Sequence, residues 1–173
     1  LSRLMERYKK KGLRSREILD NLIDHIYGLD INPFACHIAE MNLLFQILDL
    51  YQQARNEQKS YSLGRFKIYQ ADSLGPPRET REIWEYGERI VGYAKERTEV
   101  DRIKKKKFDF VVGNPPYVSL SMTIRRLSKD GKFDVADEYR ERINVYRKSF
   151  LTPFKNFDLY MLFLEKGLQW LRE

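Results

Sequence analysis

The sequence predicts an α/β fold of the doubly wound kind, and three observations predict it. Short runs rich in β-branched and aromatic residues, near 25–31, 66–72 and 108–113, each close on a polar residue or a turn. A long stretch of helical period separates the first two runs, as parallel strands require. Asn32-Pro33, directly after the first run, is a helix-start signature, with Asn at the cap and Pro in the first turn.

Taken in order, Leu1, Leu4, Met5 and Tyr8 recur at helical spacing, and Gly12 is a natural stop. Arg7 and Lys9 to Lys11 complement the dipole at that helix end. A second short helix opens at Ser15 as its N-cap and runs to Leu22 or Ile23. The period then changes, and His25-Ile26-Tyr27-Gly28-Leu29-Asp30-Ile31 reads as a strand ending in an acid. The helix from Pro33 to about Glu57 carries Phe34, Ile38, Met41, Phe45 and Leu48 on one stripe, widened by Leu44, Ile47 and Tyr51. That stripe is expected to pack on the sheet. Cys36 and His37 are read as packing and surface residues. Arg65 to Asp72 alternates polar and apolar and closes on another acid, as a further strand would.

An acid at the carboxyl end of a strand, ahead of a helix, hydrogen-bonds ribose hydroxyls in doubly wound folds. Asp30 fits that role, and the spacing alone also fits an acid that caps the turn. For Asp72 the alternative is a helix cap or an Asx-turn ahead of Gly75-Pro76-Pro77. From there to Lys107 the chain is dense in charge. Ile83, Trp84, Ile90, Val91, Tyr93 and Val100 form an uneven helical stripe, so the segment at about 75–107 reads as a helical insertion. Lys104 to Lys107 read as solvated helix-end charge more readily than as phosphate contacts.

Phe108-Asp109-Phe110-Val111-Val112-Gly113 reads as a buried strand that delivers a stiff loop, Asn114-Pro115-Pro116-Tyr117. Asn114 is confined to extended backbone by Pro115, and Pro115 by Pro116. Neither proline has an N–H, so the loop presents carbonyls, the Asn114 amide and the Tyr117 ring. An acceptor-lined slot with an aromatic wall suits an exocyclic amine on a flat heterocycle. The competing account is a tight turn after a core strand with a half-buried tyrosine. Beyond it, periodicity is lost until a helical pattern resumes from Asp137 to Phe150. Asn156 to Leu168 opens a last helix, with Asp158 as a first-turn acid and Leu159, Leu162, Phe163 and Leu168 as core.

The run from Phe108 to Tyr117 resembles the catalytic motif of S-adenosylmethionine-dependent amino methyltransferases. It is most similar to that of the adenine-N6 DNA methyltransferases of restriction-modification systems, of the type IIG, Eco57I-like kind. Gly28-Leu29-Asp30-Ile31-Asn32-Pro33 is similar to that family's second motif, and Asn156 to Leu168 resembles the stretch after its catalytic loop. The resemblance implies a Rossmann-like doubly wound fold, S-adenosylmethionine as cofactor, and double-stranded DNA from which an adenine is flipped. It implies Asn114, Pro115, Pro116 and Tyr117 as catalytic residues. Asp30 with Ile31, and Asp72 with Ser73, would lie on the cofactor together with Asn114, Asp72 accepting from the adenine amino group. The segment after Tyr117 would lie over the active site, with Arg125, Arg126, Lys129, Arg140, Arg142, Arg147 and Lys148 toward phosphates.

The family's first motif, a glycine turn after the first strand, has no counterpart, because Gly12 follows no strand. The chain is therefore expected to be part of a catalytic domain, with the first strand and the C-terminal strands absent. Restriction and specificity domains are expected to be fused to the whole protein or associated with it. Alone, the chain is expected to be inactive and to bind cofactor weakly. The same catalytic motif occurs in methyltransferases acting on RNA guanine-N2 or protein glutamine-N5, and a basic nucleic-acid-binding module without catalysis is a third class.

Composition bounds these readings. The 173 residues are one domain's worth, 42% of them hydrophobic. A formal charge of +7 favours a polyanionic partner. One cysteine excludes an internal disulfide, and with two histidines it leaves no zinc set. No apolar run is long enough for a membrane span, and a cytoplasmic setting is expected.

Overall fold

In the computed structural model, which describes residues 1–75, 94–153 and 157–173, the chain divides into two units, Leu1–Ser73 and Leu74–Glu173, each with its own core. The first contains α1 (Ser2–Lys10), α2 (Ser15–His25), β1 (Tyr27–Asp30), α3 (Pro33–Glu57) and β2 (Lys67–Gln70). After α1, Gly12 takes a φ of 76°, which a residue with a side chain rarely adopts. Ser15 is the first residue of α2 and not its cap. Arg14 stands at the cap, its N–H donating to Glu17 Oε2 at 2.8 Å. The Ser15 hydroxyl instead donates to Glu57 Oε1 at 2.9 Å, tying α2 to the far end of α3.

β1 and β2 pair in parallel, Tyr27 opposite Lys67 and Asp30 opposite Gln70. Both strands are shorter than predicted, because His25 completes α2 and the ladder stops before Asp72. Gly28 lies opposite Ile68, and a Cβ there would stand 2.7 Å from Ile68 Cδ1. Its missing side chain is what lets Ile68 lie across β1. α3 starts as predicted, Asn32 Oδ1 accepting the Phe34 N–H at 2.9 Å and Pro33 following the cap.

The helix meets the core by the widening edge of the predicted stripe, Leu44, Ile47 and Tyr51, and not by the stripe itself. Cys36, Ile47, Leu50 and Ala54 are buried with Ile18, Leu19 and Leu22 of α2 and Ile68 of β2. Phe34 and Phe45 are 73% and 63% exposed, and Ile38, Met41 and Leu48 are exposed with them. α3 is apolar on more than one face, so periodicity offers two stripes and does not choose between them.

The second unit holds α4 (Ala94–Lys104), α5 (Leu120–Lys129), α6 (Phe133–Ser149) and α7 (Leu159–Trp170). α4 lies within the segment at about 75–107 that the sequence reads as helical. Pro76, Pro77, Ile83, Trp84, Ile90, Val91 and Tyr93 lie outside the described residues, as does Asn156. The run 108–113 is not the buried strand predicted. Phe108 makes one parallel bridge, to Leu171 beyond α7, and the backbone then runs irregularly with Phe110 84% and Val112 96% exposed. A strand needs a partner along its length, and among the described residues none flanks 109–113. The extended preference of those residues persists without a ladder.

α5 was not predicted, although Leu120, Ile124 and Leu127 recur at helical spacing. It packs against α6, the connection turning at Gly131 with a φ of 73°. The second core gathers Leu74, Leu120, Tyr146, Phe150, Phe157 and Leu162, with Leu159 and Phe163 packed on it. Leu168, predicted in the core, is exposed instead, about a third of a turn round α7 from Leu162. Asp158 occupies the α7 cap position, one residue before the first turn, and makes no side-chain cap bond.

Candidate functional site

Four of the predicted residues leave the first unit at one place. Asp30 ends β1, and the Ala71 N–H donates to its carbonyl at 2.8 Å, so the pairing runs one step past β2 and Asp72 emerges beside it. Asp30, Ile31, Asp72 and Ser73 thus come out at the carboxyl ends of two parallel strands, where open α/β sheets bind ligands. One Asp30 oxygen does what the cap alternative describes: Oδ1 accepts the Asn32 N–H at 2.7 Å and fixes the turn into α3. Ile31 is 64% exposed, and Gln70 Nε2 donates to its carbonyl at 3.2 Å. Cys36 donates to the Asp30 carbonyl at 3.6 Å, and burial pushes its thiol up from the ordinary value. It is a packing residue, as predicted.

Asn114, Pro115, Pro116 and Tyr117 belong to the second unit, where α7 holds their segment at both ends. At the leading end Phe108 N donates to Trp170 O at 2.8 Å and Arg172 N to Phe108 O at 3.0 Å, with Arg172 Nη1 on Asp109 at 2.7 Å. At the trailing end Leu159 N donates to Val118 O at 3.1 Å, and Ser119 bridges Asp158. A twelve-residue helix is about 18 Å long, whereas the ten steps from Phe108 to Val118 reach up to about 33 Å. The segment therefore has length to spare between its anchors and bows outward. Val111 rests over Gly167, while Asn114, Pro116 and Tyr117 are exposed, Tyr117 to 83%. The result is a stiff run of acceptors with an aromatic ring, splinted along one helix.

Sequence reasoning missed Glu165, which is buried on α7. Its carboxylate accepts Leu151 N–H at 2.8 and 3.0 Å, Thr152 N–H at 2.8 Å and Gln169 Nε2 at 3.1 Å. Burial pushes its pKa up, but these donors outweigh burial and hold it below the ordinary glutamate value. Glu165 thus pins the turn after α6 onto the helix that splints the loop. The signal was a charged residue following Leu162, Phe163 and Leu164 within an apolar helix.

Two of the lysines from 104 to 107 are structural donors, Lys104 to Gly75 O at 3.3 Å and Lys107 to Gln169 O at 2.6 Å. Arg140 pairs with Asp137, and Arg142 lies over the Tyr139 ring at 5.6 Å. Arg125 and Arg126 are exposed on α5. Among the described residues no group of side chains could hold a metal ion, and no helix is long and apolar enough to cross a membrane.

Residues 24–173 match the family model described as Eco57I restriction-modification methylase. The chain is 29% identical over 171 residues to the Type II methyltransferase M.BstVI of Geobacillus stearothermophilus, an alignment covering 99% of this chain and 23% of that protein. It is 30% identical over 67 residues to the Type II restriction enzyme and methyltransferase RM.Eco57I of Escherichia coli, covering 39% of this chain and 6% of that protein. It thus spans less than a quarter of the length of each of these relatives. No solved structure matches it.

Proposed function

The chain belongs to the Eco57I restriction-modification methylase family, and from that premise we propose that the whole protein is a DNA methyltransferase that modifies the N6 amine of an adenine extruded from duplex DNA. The observation that carries the reading is the loop from Asn114 to Tyr117, exposed, rich in acceptors and anchored at both ends by α7. An aryl amine is a poor nucleophile because its lone pair is delocalised into the ring. The Asn114 side-chain oxygen and the Pro115 carbonyl accept its two protons, which favours a pyramidal nitrogen with its lone pair directed outward. Pro116 keeps Pro115 extended, and the Tyr117 ring stacks on the base.

S-adenosylmethionine, when bound, supplies a methyl group activated on a positively charged sulfur. The exposed side chain of Ile31 and the carboxylates at the ends of β1 and β2 fit its adenosine half, Asp30 at the ribose and Asp72 with Ser73 at the base. The net charge of +7 supports a polyanionic substrate. Further domains for restriction and sequence recognition, fused or associated, complete the reading.

The test uses the whole protein with unmethylated DNA. Asn114→Ala should lower turnover about a hundredfold or more, as loss of a preorganised acceptor or donor typically does, with cofactor binding unchanged. Nucleoside analysis of the product should show N6-methyladenine. Near-normal methylation by that variant, or a methyl group on another base, would end the assignment.

A further inference from the structure

We propose that Tyr160 is a second base-binding residue: its ring and that of Tyr117 form an angled aromatic pair that receives the extruded base. The proposal rests on the reading of Tyr117 given above and extends it to a residue on another element.

Tyr117 and Tyr160 are held together by backbone. Leu159 N donates to Val118 O at 3.1 Å and Ser119 bridges Asp158, so the residue before each anchor on the loop and the residue after it on α7 stand side by side. Their ring centroids are 6.5 Å apart and their planes are inclined by 36°. That separation is near the outer limit of about 4.5–7 Å for paired rings, so the two gain little from each other. Both rings are also exposed, whereas Tyr146 and Phe150 in this unit form a buried pair and Phe108 and Trp170 a half-buried one.

The polar tips give the same indication. A buried tyrosine normally finds a partner, as Tyr61 does by donating to Asp20 at 2.9 Å. Among the described residues neither the Tyr117 nor the Tyr160 hydroxyl makes a hydrogen bond. Two exposed, inclined rings beside a run of acceptors fit a flat heterocycle carrying an exocyclic amine. The base stacks on one ring, the second closes its edge, and Asn114 and Pro115 take the amine.

The experiment compares Tyr160→Ala, Tyr160→Leu and Tyr160→Phe in the whole protein, with unmethylated phage DNA and tritiated S-adenosylmethionine. Loss of one base-aromatic contact should raise KM for DNA about 5- to 100-fold in the alanine variant, with KM for the cofactor within about twofold of the parent. Tyr160→Leu should behave like alanine and Tyr160→Phe like the parent, because the ring matters and bulk alone does not. Melting temperatures identify a folding defect, and if the alanine variant fails to fold the leucine variant decides. Normal KM for DNA in the leucine variant, or an equal loss in the phenylalanine variant, would overturn the proposal. Asn114→Ala and Tyr117→Ala run alongside. If they too methylate normally, the base site itself is misassigned, and if they fail while Tyr160→Leu is normal, only the second ring is.

Discussion

Replacing Glu165 by alanine removes a buried carboxylate that accepts two backbone N–H groups and one side-chain amide. Hydrogen bonds to a charged group are worth about 1.5–3 kcal/mol each by deletion, and a buried donor left unpaired costs about 1–3 kcal/mol. Leu151 is 95% exposed and Thr152 is also exposed, so water can reach both N–H groups once the carboxylate is gone. That places the loss at the lower end of the sum, about 2–4 kcal/mol, or roughly 10–20 °C in melting temperature for a domain of about 100 residues. Urea and thermal unfolding followed by circular dichroism would measure it.

The pH dependence supplies a second arm. Glu165 titrates below the ordinary value in the folded chain, so its contribution is complete above the unfolded glutamate pKa of about 4.3 and is lost as pH falls through the folded value. The stability gap between parent and Glu165→Gln should therefore shrink as pH is lowered from about 6 toward 3. A Glu165→Ala variant within about 0.5 kcal/mol of the parent at pH 7, or a gap that widens in acid, would refute the assignment of Glu165 as the pin between the α6 turn and α7.

Other perturbations test the remaining elements. Ile47→Ala should cost about 2–4 kcal/mol, as core truncations do, whereas Phe45→Lys on the exposed stripe should change stability by less than about 0.5 kcal/mol; the reverse order in denaturant melts would mean α3 is rotated. Gly28→Val should destabilise by about 1–3 kcal/mol through overpacking against Ile68, with Gly28→Ala milder because the nearest atom is a mobile side-chain end. Tyr61→Phe should cost about 1 kcal/mol by losing the bond to Asp20. Burial and Asp20 push the Tyr61 hydroxyl far up, so its contribution should hold below the unfolded tyrosine pKa of about 10 and decline above it, which alkaline unfolding would show. Arg172→Ala breaks an exposed ion pair to Asp109 and should change stability by less than about 1 kcal/mol, since the loop anchor there is backbone.

By itself the sequence determined what is local. Asn32-Pro33 set the start of α3 because cap and first-turn geometry depend on neighbouring residues alone. Gly12 set the end of α1 in the same way, and Asp30, the acid closing the first apolar run, marked where β1 terminates. The loop from Asn114 to Tyr117 was legible because two prolines restrict its backbone in any surroundings. Tertiary structure decided what depends on a distant partner. Which stripe of α3 is buried was settled by α2 and β2, since a helix apolar on more than one face does not choose between them. Phe108 to Gly113 has the composition of a strand, yet pairing is a property of two segments, and among the described residues only Phe108 finds a partner, at Leu171. Glu165 and Tyr160 were unreadable for the same reason: one meets donors fourteen residues away, the other a ring more than forty residues away, and no local pattern encodes either contact.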